Sequence, residues 1–583
     1  MARERQAAAG MELQTLLERT PSSPLLPECA SASPTQLVAE KLGASLLAWS
    51  REAGSRVEIP ETTYTLYRGF RMSGERQPYE KPYFDKRGLL TREVLAAWLG
   101  QDDSRMGRIN DLIWSICEET TWVLPAHERD ASYIDLFAAE TGVELAHVLF
   151  VLGDRLPKEV RERVRAEIRR RIFEPYLEHG TQYSWGSGRN NWTGVCAGSI
   201  GQTFLMLEDD PARQAQALSL VLEQLERFIH NAFEEDGGCL EGMSYWNYGL
   251  IHYVAFAEML RERTRGAMDL LAQDKIKAIA RYPLAVYLGK DTYASFSDAH
   301  EHSSVEPFLA ARLAERTGAV GLRGLVGGAT GWRLSSVLRN LLWRNGKTDA
   351  APPLEDVFLP KSGIARLVGE TSGRTLAVVI KAGHNGEPHN HNDIGSFVLA
   401  VDGTVYLCDP GAGLYSAAYF SSKRYENIFA NSYGHSVPRI GGTLQAPGRE
   451  HCGVMEKSGD QTVCIGFEKA YAVDGLNKAT RTISLHDGLV TLEDTFECSE
   501  PGLDVEEALV TWQVVATNGS TARIVTDNGT LEIRADQGPF KAERLEDACK
   551  ANGKPGVLTR LSLTYARATG IRSRLTFAFH PAS

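Results

Sequence analysis

The sequence predicts two fold classes in series: a helical N-terminal part and an antiparallel β-sandwich after it. Three observations predict this. From Thr35 to about Gly346, apolar residues recur at helical spacing. Residues 345–360 are polar, carry three prolines and interrupt that pattern. Beyond them, short β-rich runs alternate with Gly, Asp and Asn, and no helical run intervenes. A chain of 583 residues is too long for one ordinary core. The expected division is 34–346 helical and 347–583 sandwich. The Ala-, Ser- and Pro-rich residues 1–33 are expected to be poorly ordered.

The helices come first. Val160, Val164, Ile168 and Ile172 repeat every four residues, and this run should stop before Pro175. Asp210 can cap the next helix and Pro211 fits its first turn, with Leu218, Leu222, Leu225, Ile229 and Phe233 as its apolar face. Further helical runs are expected at 91–118, 133–152, 191–207, 244–262, 267–287, 305–317 and 333–344. So many helices between short loops suggest antiparallel pairs rather than one bundle. Strands are expected at Ile364–Val368, Thr375–Ile380, Val463–Phe467, Ala479–Leu485, Val490–Phe496, Ala508–Val515 and Leu575–Phe579.

Composition narrows the function. Hydrophobic content of 43% and charged content of 23% are those of a globular protein. A formal charge of −11 with no long basic run argues against general binding to nucleic acid or a membrane surface. An acidic substrate would need a local basic cleft. No apolar stretch approaches the roughly 20 residues of a membrane span, and Met1–Thr20 contains no run of signal-peptide length. The nine cysteines are odd in number and contain no Cys-x-x-Cys pair, so no disulfide framework or cysteine zinc site is indicated. The expected location is cytoplasmic, or periplasmic or secreted if a leader has been removed.

Residues 383–439 carry the chemistry. His389-Asn390-His391-Asn392-Asp393 precedes an apolar run, then Asp402-Gly403, a second apolar run, and Asp409-Pro410-Gly411. Asp-Gly between β-rich runs marks a hairpin. Val401 should pair with Thr404, which sets Asp409 opposite Ser396 and near the histidine loop. His435 follows in Tyr433-Gly434-His435-Ser436. Two imidazoles and a carboxylate are a normal ligand set for zinc or a similar divalent ion. A lone loop histidine is more often bonded to backbone. Three within eight residues (His384, His389, His391) favour function.

Three other segments are rich in functional side chains. Residues 183–194 place Arg189, Asn190, Asn191 and Trp192 at the start of an apolar helix. Its free N–H groups and positive potential suit an anion, although capping alone would also explain the asparagines. Residues 236–253 place Tyr245, Tyr248 and His252 on one helix face, with Glu241 and Trp246 nearby. Residues 295–303 hold two histidines, His300 and His302, and two acids in a polar loop that could equally be a helix cap.

The run His389-x-His391-x-Asp393, Gly395-Ser396-Phe397, Asp409-Pro410-Gly411 and Gly413-x-Tyr415 resembles the core of the heparinase II/III-like polysaccharide lyases. The segments around Asn191 and Tyr245 resemble the same family, so the resemblance spans most of residues 130–450. It implies an incomplete α/α toroid followed by an antiparallel β-sandwich. It also implies β-elimination at a uronic acid in glycosaminoglycans such as heparan sulfate, chondroitin sulfate or hyaluronan, leaving a 4,5-unsaturated uronate end. Asn191, Tyr245 and His389 are the catalytic residues by this resemblance. Some relatives carry His where this chain has Asn191, which removes one proton carrier. Arg189, Asn190, Trp192, Glu241, Trp246, Tyr248, His300, His302, Arg424 and Arg439 are the candidates for substrate contact. His391, Asp409 and His435 are the implied ligands of one divalent ion, zinc first, with manganese or calcium as alternatives.

Elimination needs the uronate charge neutralised, a base at C5 and an acid at the C4 oxygen. Asn191 with His389 would neutralise. Tyr245 would protonate the leaving oxygen and, on one epimer, also take the C5 proton; on the other epimer His389 would be the base. Tyrosine titrates near 10, so a basic role requires a positive neighbour. Rival readings are an alginate or oligoalginate lyase, a hydrolase using Glu234, Asp236 or Glu241, and a non-catalytic glycan-binding protein. The sequence leaves the polymer and the oligomeric state open.

Overall fold

The computed structural model describes residues 2–20, 26–52, 58–130, 132–343 and 349–582. The chain forms two compact units. The helical unit comprises Met1–Ala232, Asn247–Ile276 and Val305–Asp349. The sandwich unit comprises Phe233–Trp246, Lys277–Ser304 and Ala350–Ser583. A helical part followed by antiparallel sheets is the order the sequence predicts. The unit boundaries differ from the expected 34–346 and 347–583 division, because two segments of the helical stretch pack with the sandwich. The Arg366 guanidinium on a sandwich strand donates to the carbonyls of Leu284 and Tyr287, and Ser295 donates to the carbonyl of Asp409. The expected boundary at 346/347 lies outside the described residues.

In the helical unit, local chemistry sets the element ends. The Asn190 side chain caps the helix Asn191–Leu207 by accepting from Trp192 N at 3.2 Å. The Asp210 carboxylate caps Pro211–Asn231 by accepting from Ala212 N at 2.9 Å. Leu218, Leu225, Phe228 and Ile229 form the buried face of that helix, while Leu222 is half-buried. Phe233, expected on this face, lies beyond the helix end in the other unit. Val160, Val164, Ile168 and Ile172 are buried as expected. The run does not stop before Pro175, however. A π-helical turn at Arg169–Phe173 leads into the helix Glu174–His179, whose first turn tolerates the proline. Two expected helices are broken. Residues 91–118 divide between Gln77–Gly100 and Met106–Glu118, and 267–287 divides between Asp274–Ile279 and Tyr282–Val286.

Residues 1–33, expected to be poorly ordered, carry the helices Ala2–Arg19 and Pro27–Ser31. Leu13, Leu17 and Leu26 are buried, and the Arg263 guanidinium donates to the carbonyls of Leu17 and Thr20. Among the described residues one helix, Leu136–Arg155, has the length and apolar composition to cross a membrane, which the sequence reading missed; 78% of its apolar window is buried inside the protein.

In the sandwich unit, the described residues include nine-, five- and four-stranded antiparallel sheets that share one core. Phe397, Leu399 and Val378 come from the five-stranded sheet, and Ile483, Leu492 and Phe577 from the nine-stranded one. The five-stranded sheet runs Val357–Leu359, Ile364–Thr371, Arg374–Lys381, Phe397–Val401 and Thr404–Leu407. Asp402 (φ +47°) and Gly403 (φ +73°) make its last turn, and Val401 pairs with Thr404 as predicted. A β-bulge then shifts the register, so that Leu399 pairs with Leu407. Continued, this sets Asp409 across from Phe397 rather than Ser396. The expected strand Ala508–Val515 is two strands, Leu503–Thr511 and Val514–Asn518, separated at Trp512-Gln513.

Candidate active site

The loop after strand Gly383–Asn385 brings His389 and His391 together with the segment 294–304, itself rich in small and polar residues. The 409–411 turn and the residues before Met243 also approach segment 294–304 closely enough to require glycine. A side chain at Gly411 (φ +63°) would meet the Ala299 carbonyl oxygen at 2.6 Å, and one at Gly242 (φ +85°) would meet that of Phe296 at 2.7 Å. His389 itself adopts φ +57°, unusual for a residue with a Cβ.

Asp298 is the centre of the cluster. Its side chain is fully buried. Oδ2 faces His389 Nδ1 at 2.7 Å and accepts from the Tyr415 hydroxyl at 3.0 Å. Oδ1 faces His391 Nε2 at 3.0 Å and accepts from the Tyr419 hydroxyl at 2.8 Å and Arg424 Nη2 at 2.9 Å. Burial pushes this carboxyl up, but the bonds from His389 and His391 outweigh it and hold it well below the usual carboxylate range. Charge-assisted hydrogen bonds of this kind offset the desolvation of a buried ion.

Tyr245 stands on the other side of His389. The two rings stack with centroids 4.1 Å apart at 24°. The Tyr245 hydroxyl lies 2.5 Å from that of Tyr415. Burial raises the Tyr415 phenol, and the neighbouring Tyr245 and Asp298 raise it further. Glu241 is buried, with Oε1 3.5 Å from His389 Nε2. Phe420, half exposed, sets its ring edge against Tyr415 at 4.8 Å and His389 at 6.2 Å.

The remaining expected residues have varied settings. Arg424 is mostly buried: it stacks on Tyr419 at 4.2 Å and donates to Asp298 and to the Asn390 carbonyl. Trp246 is not a substrate platform. It is buried, and its indole donates to the Ile279 carbonyl at 2.9 Å. Arg439, on the strand Arg439–Ile440, pairs with Glu506 at 3.1 Å. His300 and His302 are exposed, and His302 lies 3.6 Å from Asp291. Asp236, a hydrolase candidate, caps the Lys361-Ser362 backbone. In the helical unit, Asn191 is buried at the first position of its helix, Arg189 is exposed, and Trp192 packs edge-on to His127 at 4.7 Å. Tyr248 and His252 both bond to the buried Glu140, at 3.0 and 2.8 Å. The Tyr248 hydroxyl is therefore committed within its own unit. Sequence reasoning missed Asp298, Tyr415 and Tyr419. Asp298 sits inside the polar segment singled out for its histidines, and Tyr415 inside the quoted motif.

Behind the cluster, His391, Asp393, Asp409 and His435 are all buried, and one ligand atom from each lies within 4.8 Å of the others. His435 Nδ1 is 3.0 Å from Asp409 Oδ2, and His391 Nδ1 is 3.8 Å from Asp409 Oδ1. Neither His391 Nδ1 nor Asp393 Oδ2 has a hydrogen-bond partner. Buried polar atoms are rarely left so. Two imidazoles and two carboxylates gathered this closely fit a divalent cation. Lys381 Nζ holds the other Asp393 oxygen at 2.7 Å. Burial lowers the His391 imidazole. Burial also lowers His435, but Asp409 outweighs it and the ring is raised.

Residues 351–572, which contain both clusters' histidines, match the family model described as Heparinase II/III-like, C-terminal. No curated protein matches the chain. Its solved structural neighbours include a heparinase III, 11% identical with a TM-score of 0.66 over 97% of this chain and 87% of that one. The heparan sulfate lyase HepC from Pedobacter heparinus is 12% identical, with a TM-score of 0.56 over 100% and 90% of the two chains. The chondroitin AC lyase of Streptomyces coelicolor A3, solved with chondroitin sulphate, is 14% identical, with a TM-score of 0.53 over 94% and 80%. At these identities the likeness is one of fold. The chain thus has the fold of these heparinase and chondroitin lyase structures, and its residues 351–572 match the Heparinase II/III-like, C-terminal model.

Proposed function

We propose that the chain is a polysaccharide lyase that cleaves uronate-containing glycans, glycosaminoglycans first, by β-elimination. The observation that carries this is the stacked Tyr245–His389 pair within the heparinase II/III-like domain. It puts a hydroxyl acid and an imidazole base side by side on one surface. In this reading His389 takes the C5 proton and Tyr245 gives its proton to the C4 glycosidic oxygen. The C4–O bond breaks as the C4–C5 double bond forms. Tyr245 acts as a neutral acid rather than a tyrosinate, because the Tyr415–Asp298 chain behind it carries negative charge that disfavours an anion there. The half-exposed Phe420 offers a face for a sugar ring.

We propose further that His391, Asp409 and His435, joined by Asp393, hold one divalent cation, zinc before manganese or calcium. Bound there, the ion supplies fixed positive charge that keeps the histidine loop and the 409–411 turn in place. The test is ultraviolet absorbance during incubation with heparan sulfate, chondroitin sulfate, hyaluronan and alginate separately, beside a Tyr245→Phe control. A rise absent from the control supports elimination and names the substrate class. New reducing ends without a rise would instead favour hydrolysis.

A further inference from the structure

One carboxylate meets both histidines of the His-x-His motif, and it meets them through different ring atoms. His389 presents Nδ1 to Asp298, whereas His391 presents Nε2. The two oxygens of Asp298 together face five polar groups, from His389, His391, Tyr415, Tyr419 and Arg424. A carboxylate so surrounded only accepts, so each facing nitrogen must carry a hydrogen. In its neutral form His389 then keeps a bare Nε2, on a side chain that is 13% exposed. Glu241 Oε1 lies 3.5 Å from that Nε2, longer than an ordinary hydrogen bond. His391 is left with a bare Nδ1, fully buried, unpartnered and turned toward Asp409.

We propose that Asp298 is a positioning residue that fixes His389 and His391 in opposite tautomers. One carboxylate thereby sets the proton-accepting nitrogen of the active site and the cation-binding nitrogen of the buried cluster. The role of His389 rests on the lyase reading above; the tautomers rest on geometry alone. The same carboxylate also orders Tyr245 at one remove. Tyr415 gives its hydrogen to Asp298, so without substrate its oxygen accepts from Tyr245, whose hydroxyl turns to the glycosidic oxygen when substrate binds. Carboxylate partners that orient metal-bound imidazoles typically matter by 10- to 100-fold in metal affinity or activity. Here that single partner also holds the residue next to the substrate.

The test uses the full chain labelled with 15N at histidine, with His389→Ala and His391→Ala to assign the ring signals. His389 should show a protonated Nδ1 and a bare Nε2, and His391 the reverse. A proton on Nε2 of His389, on Nδ1 of His391, or on both nitrogens of either ring overturns the proposal. Asp298→Asn supplies the second arm. Its amide offers one accepting oxygen in place of two, so zinc affinity of the metal-stripped protein should fall 10- to 100-fold. Tyr419→Phe, which removes a donor and leaves both imidazole contacts, should keep zinc affinity near wild type. Unchanged zinc affinity in Asp298→Asn counts against the proposal. If the wild type eliminates none of the four polymers, the lyase reading fails, while the ring-nitrogen and zinc measurements still decide the part played by Asp298.

Discussion

The Tyr245 ring lies flat against the His389 ring, 4.1 Å away and only 24° from parallel. The two groups assigned to proton transfer therefore support one another by packing, separately from their hydrogen bonds. Tyr245→Phe keeps the stacked face and removes only the hydroxyl. The expected result is a loss of elimination of at least roughly 100-fold, the usual scale for a general acid or base. The melting temperature should stay close to wild type. Retained turnover in a folded variant would remove Tyr245 from the mechanism.

The Tyr245 hydroxyl is backed by Tyr415, which is backed by Asp298. Tyr415→Phe deletes the middle of this chain and leaves the stacked pair and both histidine contacts in place. It should lower kcat by roughly tenfold, within the range for groups that act through another. KM should change much less, because Tyr415 touches no substrate in this reading. A KM effect with unchanged kcat would make Tyr415 a binding residue instead.

The sequence showed the order of helix and sheet because each has its own apolar spacing. It showed the Asp402-Gly403 turn because few residue pairs accept two positive φ values in succession. Asp298 was harder to read, since a carboxylate has no periodicity. Its importance comes from long-range contacts to residues 389–424, beyond any local pattern. The bulge between Leu399 and Ala400 was illegible for a similar reason: it depends on how the hairpin packs, while its sequence is simply apolar. Trp246 illustrates the converse. Its neighbours suggested a sugar platform, yet the Ile279 carbonyl and the core claim it.

The buried metal cluster leads to a prediction about stability. His435→Ala leaves Asp409 buried without its imidazole partner at 3.0 Å. Breaking such a pair from one side costs about 3 kcal/mol or more. The variant should melt lower, and zinc should no longer raise the midpoint. Wild-type protein stripped with a chelator should also melt lower and recover on adding zinc, since a ligand that binds only the folded state stabilises it. Identical midpoints with and without chelator, in protein shown to lose metal, would remove the cation from the account.

Glu144 gives a pH prediction independent of catalysis. It is buried in the helical unit, where it accepts from Ser335 N at 2.9 Å and Ser335 Oγ at 2.5 Å. Burial raises its carboxyl from 4.5 to about 7, although the Ser335 bonds oppose this. The folded state therefore holds a proton that the unfolded chain releases above about 4.5. The stability linked to that proton is fully present below 4.5 and is lost as pH rises through about 7. At about 1.4 kcal/mol per pH unit, the span from 4.5 to about 7 corresponds to about 3 to 4 kcal/mol. Glu144→Gln carries no ionisable proton and keeps an oxygen for Ser335 N, while the Ser335 hydroxyl can turn to accept from the new amide. Relative to wild type, it should gain stability between pH 4.5 and pH 8, with most of the gain made by pH 7. Thermal midpoints of both proteins across that range measure it. Parallel curves would mean that Glu144 stays ionised in the fold, its desolvation offset by Ser335 and the nearby Arg333.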